Sequence, residues 1–249
     1  ALPSEVDAFS QQWIRDAMGR HNLQRAWDGL SDHWRARLVE TRWLAGTMPV
    51  VPIPPTVKLE TIGAETAFRG AIERNPNYAQ AYVSRGLAYV QKRETERAAQ
   101  DFSRAIQIDP KFAVAYNERG QIYRGQGELS RAIADLDQAI KLDGRFSDAW
   151  HNRGLAYVDR RDFDKAVADL TQAAKLDGNN PTILHDRGLA YRERRDYDRA
   201  VADFDQALKL DPKYVMSYVD RGIALRDKGD PDRAVRDFDQ AIKIDPKFA

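Results

Sequence analysis

Four histidines, His21, His33, His151 and His185, are the first residues whose types could support chemistry. His151 and His185 stand one period of 34 residues apart, with Asp148 and Asp186 close in sequence, so a shared metal is the first reading to weigh. Equivalent positions on neighbouring packed helices lie roughly 10 Å apart. Two imidazoles on one zinc each sit about 2 Å from it. Both rings would have to swing together and find further ligands, so the two histidines read as polar residues on a solvated surface. The chain has no cysteine, which removes disulfides, thiolate nucleophiles and Cys-type zinc sites together. Gly125-Gln126-Gly127 falls in a turn between helices, not after a strand, and is no dinucleotide fingerprint. No HExxH, Walker A or nucleophile-elbow pattern occurs. Carboxylates are plentiful, but they recur at a fixed period, which marks them as scaffold. The residues imply no catalysis, no metal and no cofactor.

Composition narrows the classes further. The chain has 249 residues, with 39 Lys+Arg against 38 Asp+Glu and a net charge of +1. That balance argues against nucleic-acid binding, which draws on an excess of basic residues. With 43% hydrophobic residues the chain can bury a core, so wholesale disorder is excluded. No apolar run approaches the roughly 18 residues of a membrane span. Arg exceeds Lys and Asp exceeds Glu, which suits a GC-rich bacterial source. The expected setting is soluble, in bacterial cytoplasm or periplasm.

The elements that carry these residues follow a repeat. Tyr82-Val83-Ser84-Arg85-Gly86-Leu87-Ala88-Tyr89 returns from Tyr116, Trp150, Leu184 and Tyr218 at intervals of 34 residues. A second segment, Ala98-x3-Phe102-x2-Ala105, returns from Ala132, Ala166, Ala200 and Ala234. Each copy reads as two short helices from its apolar spacing. The polar turn between them holds Glu94, Glu128, Asp162, Asp196 or Asp230, a carboxylate placed to cap the second helix. Pro110, Pro212, Pro246, Gly144 and Gly178 stop the second helices. Gly86, Ala98, Ala105 and their counterparts allow helix axes to approach to roughly 8–10 Å. A lone pair could not bury this face, so the copies must stack.

These motifs resemble the tetratricopeptide repeat family, whose pattern is W-x2-L-G-x2-Y, then A-x3-F, then P. The resemblance covers residues 79–112, 113–146, 147–180, 181–214 and 215–248, preceded by a partial copy at 60–78 carrying Ala64-x3-Phe68-x2-Ala71. It implies an all-α fold, a right-handed α-solenoid of antiparallel helix pairs, with a helical N-terminal extension.

One departure is systematic: the family's Leu before Gly is Arg in every copy. Sixteen residues after each Arg stands an Asp, giving Arg85 with Asp101, Arg119 with Asp135, Arg153 with Asp169, Arg187 with Asp203 and Arg221 with Asp237. The partial copy has Ala67 and Val51 at these places, so both members are missing together. This predicts a structural ion pair within each repeat, bridging its helices. Asp169→Leu should then cost stability by stranding Arg153, while Arg153→Leu should be nearly neutral or stabilising.

Residues 1–48 lack the repeat and read as helices, with Val6, Phe9, Trp13 and Ala17 on one face and Leu23, Trp27, Leu30, Trp34 and Leu38 on another, running towards Trp43. The Pro-rich run at 49–59 is an extended connector. Trp13, Trp27, Trp34 and Trp43 either cap the solenoid over the partial copy or dock a partner or a second chain. At the other end no polar capping helix follows Val235, Phe238 and Ile242, so the natural chain continues there or something covers that face.

In the resembled family the first helix of each repeat lines a concave groove that holds peptides or partner surfaces. Mapping its positions gives Val83 and Leu87; Asn117, Glu118, Gln121 and Arg124; His151, Asn152, Leu155 and Asp159; His185, Asp186, Leu189, Arg192 and Glu193; and Val219, Asp220, Ile223 and Asp227. An apolar line broken by Gln121 runs along it, and acids outnumber bases around it. That implies a protein or peptide partner that is apolar and carries basic residues. The family's carboxylate clamp for acidic chaperone tails is not expected, because its basic positions are largely acidic here. The implied function is a non-enzymatic interaction scaffold. The alternative is an assembly subunit that self-associates through its Trp-rich N-terminus and last helix.

Overall fold

A computed structural model describes residues 61–247. The N-terminal helices, the Pro-rich connector and Trp13, Trp27, Trp34 and Trp43 lie outside the described residues. The chain divides into two compact units at Glu94/Thr95. The first holds α1 (Thr61–Arg74) and α2 (Ala79–Gln91), which pack on each other. The second holds α3 (Thr95–Ile108), α4 (Ala113–Gly125), α5 (Leu129–Leu142), α6 (Ser147–Asp159), α7 (Phe163–Leu176), α8 (Pro181–Glu193), α9 (Tyr197–Leu210), α10 (Val215–Lys228) and α11 (Pro231–Ile244), each packed on its sequence neighbour. Every described element is a helix.

Small residues set the packing. A Cβ added at Gly120 or Gly154 would lie 2.9 or 2.7 Å from Cγ of Leu136 or Leu170 in the paired helix. At Gly188 and Gly222 it would lie 2.7 and 2.6 Å from Cε1 of Phe204 and Phe238. The large side chain of the second helix thus sits against bare backbone of the first. Ala132, Ala139, Ala166, Ala173, Ala200 and Ala207 are fully buried on the same seam.

Each first helix ends in a left-handed residue: Arg93, Gly127, Arg161, Arg195 or Gly229, with φ of 61, 76, 62, 62 and 94°. The next amide closes the end by donating to a carbonyl five residues back, as Asp162 does to Tyr157 at 2.9 Å and Asp230 to Leu225 at 2.9 Å. The carboxylates expected to cap the second helices do so only in part. Asp196 and Asp230 accept from the amides of Arg199 (3.4 Å) and Arg233 (3.2 Å). Glu128 makes no such bond; its longer side chain reaches the Arg131 guanidinium at 2.5 Å instead. At the far end Asp109, Asp143, Asp211 and Asp245 accept from the amide two residues on, at 2.9–3.0 Å, and fix the turn beside the Pro or Gly.

Candidate functional site

In the second unit the first helices α4, α6, α8 and α10 each touch the next in line, and no pair of second helices does so to the same extent. The stack is therefore tighter on the first-helix side.

Polar side chains bond across that side, four of the pairs at an offset of 35 residues, one repeat plus one position. Asn152 Nδ2 donates to Asn117 Oδ1 at 2.9 Å. His151 Nε2 lies 2.6 Å from Asp186 Oδ2, and Arg124 Nε lies 2.6 Å from Asp159 Oδ2. His185 Nε2 lies 3.5 Å from Asp220 Oδ2, and its Nδ1 is 2.9 Å from Ser217 Oγ. Arg192 Nη1 bonds Asp220 Oδ1 at 2.5 Å. The shared offset is geometric: a neighbouring first helix presents its next residue to the gap.

This ladder changes the reading of several residues. His185 is not solvated. It is 5% exposed, with its ring centroid 5.4 Å from that of Phe204 and 4.9 Å from that of Tyr214 in tilted contacts, and its burial holds the imidazole below the usual range against the pull of Asp220 and Asp186. Asn117, Asn152 and Asp220 are likewise enclosed between helices. In the first unit Val83 is buried and Leu87 half-buried. Asp159, Asp186 and Asp220 each meet a partner, so the face is less acidic than its residue count. Glu193 and Asp227 are exposed and lie beside their own neighbours Arg192 (3.4 Å) and Arg226 (2.8 Å). Glu118 differs: burial raises its carboxyl above the usual range, only partly opposed by donation from Asn117 at 2.9 Å. Half-buried Leu155, Leu189, Val219 and Ile223 and exposed Gln121 complete the face.

Arg119, Arg153, Arg187 and Arg221, four of the five arginines at the systematic departure, each reach the aspartate of their own repeat through two bonds. Arg119 Nε and Nη2 donate to Asp135 at 2.7 and 2.8 Å, Arg153 to Asp169 at 2.6 and 2.8 Å, Arg187 to Asp203 at 2.7 and 2.6 Å, and Arg221 to Asp237 at 2.8 and 2.6 Å. These bonds push the guanidinium pKa values up. Arg85 and Asp101 fall in different units; the Arg85 guanidinium lies 5.6 Å from the Tyr82 ring and 5.8 Å from that of Tyr89. Sequence reading missed the third bond, from Nη1 to the preceding repeat: Arg119 to Ser103 at 3.0 Å, Arg153 to Asp137 at 2.6 Å and Arg221 to Asp205 at 2.5 Å. Those partners stand sixteen residues before each Arg, a mirror offset that could have been read. Among the described residues no group of three or more His, Asp or Glu converges as a metal site.

Family models described as tetratricopeptide repeat match residues 147–180 and 185–247, and one described as TPR repeat matches 86–127 and 120–160. The chain belongs to the tetratricopeptide repeat family. No curated protein matches this tetratricopeptide-repeat chain. Among solved structures it is similar to YrrB, described as a TPR protein with an unusual peptide-binding site, at 24% identity and a TM-score of 0.61, covering 73% of this chain and 94% of that one. It is similar to Pseudomonas aeruginosa pilF at 20% identity and 0.67, covering 75% and 85%. MamA from Desulfovibrio magneticus matches at 16% and 0.63, covering 68% and 96%. At these identities the likeness is one of fold. No helix among the described residues is long and apolar enough to cross a membrane.

Proposed function

We propose that this chain is a non-enzymatic protein-interaction scaffold whose first-helix face holds a segment of a partner protein. The observation that carries this is the row Leu155, Leu189 and Ile223, half-buried at one repeat position on α6, α8 and α10 and braced by the polar bonds between those helices. A preorganised apolar row loses little entropy when a partner settles on it. The scaffold's own arginines and histidines hold most of the carboxylates there. The peptide-binding site described for YrrB favours the same reading. Glu118, Glu193 and Asp227 would favour Lys or Arg beside the partner's apolar residues. Affinity capture from the source organism tests this, comparing wild type with Leu155→Lys/Leu189→Lys and with an Ala202→Lys control at an exposed position of α9. A partner lost only with the first variant supports the reading; equal loss or equal retention in both overturns it.

A second reading, self-assembly, draws on α11, where Val235 and Ile242 are 56% and 46% exposed. Light scattering at several concentrations separates the two, since a scaffold stays monomeric. Deleting residues 1–48 addresses the tryptophans: a cap predicts aggregation or a large stability loss, a docking element a stable monomer that no longer binds.

A further inference from the structure

We propose that a cleft beside Leu184 is a seat for a tyrosine or tryptophan side chain supplied by a partner protein. In α2, α4, α6 and α10 the residue three before the repeat arginine is aromatic. The guanidinium carbon lies 5.6, 5.8, 4.8 and 5.4 Å from the ring centroids of Tyr82, Tyr116, Trp150 and Tyr218. Three of these rings also donate to the carbonyl six residues earlier. Tyr82 Oη donates to Pro76 at 3.3 Å, Trp150 Nε1 to Gly144 at 3.0 Å and Tyr218 Oη to Pro212 at 3.4 Å. The ring seat thus has two fixed features, a cationic plane and a backbone acceptor.

The fourth copy breaks the series with Leu184, which is 5% exposed and has no ring to offer. A cleft of about 310 Å³ opens there, lined by Leu184, Arg187, Gly178, Thr171, Ala174 and Asp203 among others. Gly178 is six residues before Leu184 and Arg187 three after it, so the residues that carry both features of the seat line the cleft. Arg187 keeps its two bonds to Asp203, but the position that supplies Asp137 and Asp205 to its sisters is Thr171 here, and its Nη1 makes no matching bond. A ring entering the cleft meets a guanidinium held by one carboxylate where Arg153 and Arg221 have two, which strengthens the cation–π attraction. A phenol O–H or indole N–H matches the acceptor that its sister rings use. The volume lies at the small end of known ligand sites and suits one side chain. No residue of the first-helix face lines it, so this site stands whether or not the groove reading does.

The test is titration of the full 15N-labelled chain with N-acetyl-L-tyrosinamide, followed by NMR. Saturable millimolar shifts at the Gly178 and Thr171 amides and the Arg187 Nε–H are expected, several-fold weaker with N-acetyl-L-phenylalaninamide. Leu184→Tyr should fill the seat, abolish the shifts and raise the unfolding temperature. Absent shifts, or shifts that persist in Leu184→Tyr, overturn the proposal. So does a Leu184→Tyr chain that fails to fold, because four sister copies carry a ring at that position. Gly178 shifts that track protein concentration without probe assign the seat to a second copy and overturn the partner.

Discussion

Asp169 is more deeply buried than the arginine that holds it: its side chain is 8% exposed, against 16% for Arg153. Arg153 also keeps Asp137 and lies 4.8 Å from the Trp150 ring, so it has company if Asp169 is lost. This reverses the asymmetry that spacing alone implies. Arg153→Leu should cost roughly 3 kcal/mol by stranding the buried carboxylate, Asp169→Leu clearly less, and the double variant should recover most of the loss. Urea unfolding of the three variants measures this; equal costs for the two single changes would remove the argument.

His185 makes stability pH-dependent. Its imidazole is held below the ordinary value, so the unfolded chain takes a proton near pH 6.5 that the native chain refuses. The stability this contributes is present above that pH and is lost as pH falls through it. Denaturation midpoints should drop between pH 7.5 and 5.5, and drop less in His185→Asn, which places there the residue that copy two carries. Identical slopes would count against it.

Glu118 works in the opposite sense. Its carboxyl is raised by burial, so its ionisation opposes folding as pH climbs through the folded value. Glu118→Gln keeps an acceptor for Asn117 and should raise the melting temperature at pH 7, with the gain shrinking towards pH 4. Calorimetry at both pH values decides.

Two glycines should respond oppositely to alanine. Gly188→Ala drives a methyl to 2.7 Å from the Phe204 ring and should cost about 1–3 kcal/mol. Gly125 has nothing within 4 Å of its added Cβ, and the other copies carry Gln91, Asp159, Glu193 and Asp227 there. Gly125→Ala should therefore stabilise by up to about 1 kcal/mol. Thermal melts of the pair suffice.

Arg195 pays for its place in the turn. Its φ of 62° is the conformation that Gly127 and Gly229 adopt without steric cost. Arg195→Gly should gain about 0.5–1 kcal/mol after the added freedom of the unfolded chain is counted. A loss on chemical denaturation would show that the side chain contributes more than the turn costs.

The 34-residue spacing by itself determined the helical repeat, because each hairpin buries its seam through near neighbours in sequence. Gly154 against Leu170 and Arg153 with Asp169 are legible for the same reason: both contacts recur at sixteen residues. Tertiary structure alone decided where the polar residues of the first helices go. His185, Asn152 and Asp220 look like solvated groove residues when each helix is considered singly. They are enclosed because the first helices close up on one another, and that spacing depends on how whole hairpins stack. The cleft at Leu184 has the same origin. A leucine among aromatics is an unremarkable substitution in a list of residues, and it becomes an opening only where the surrounding backbone does not collapse to fill it.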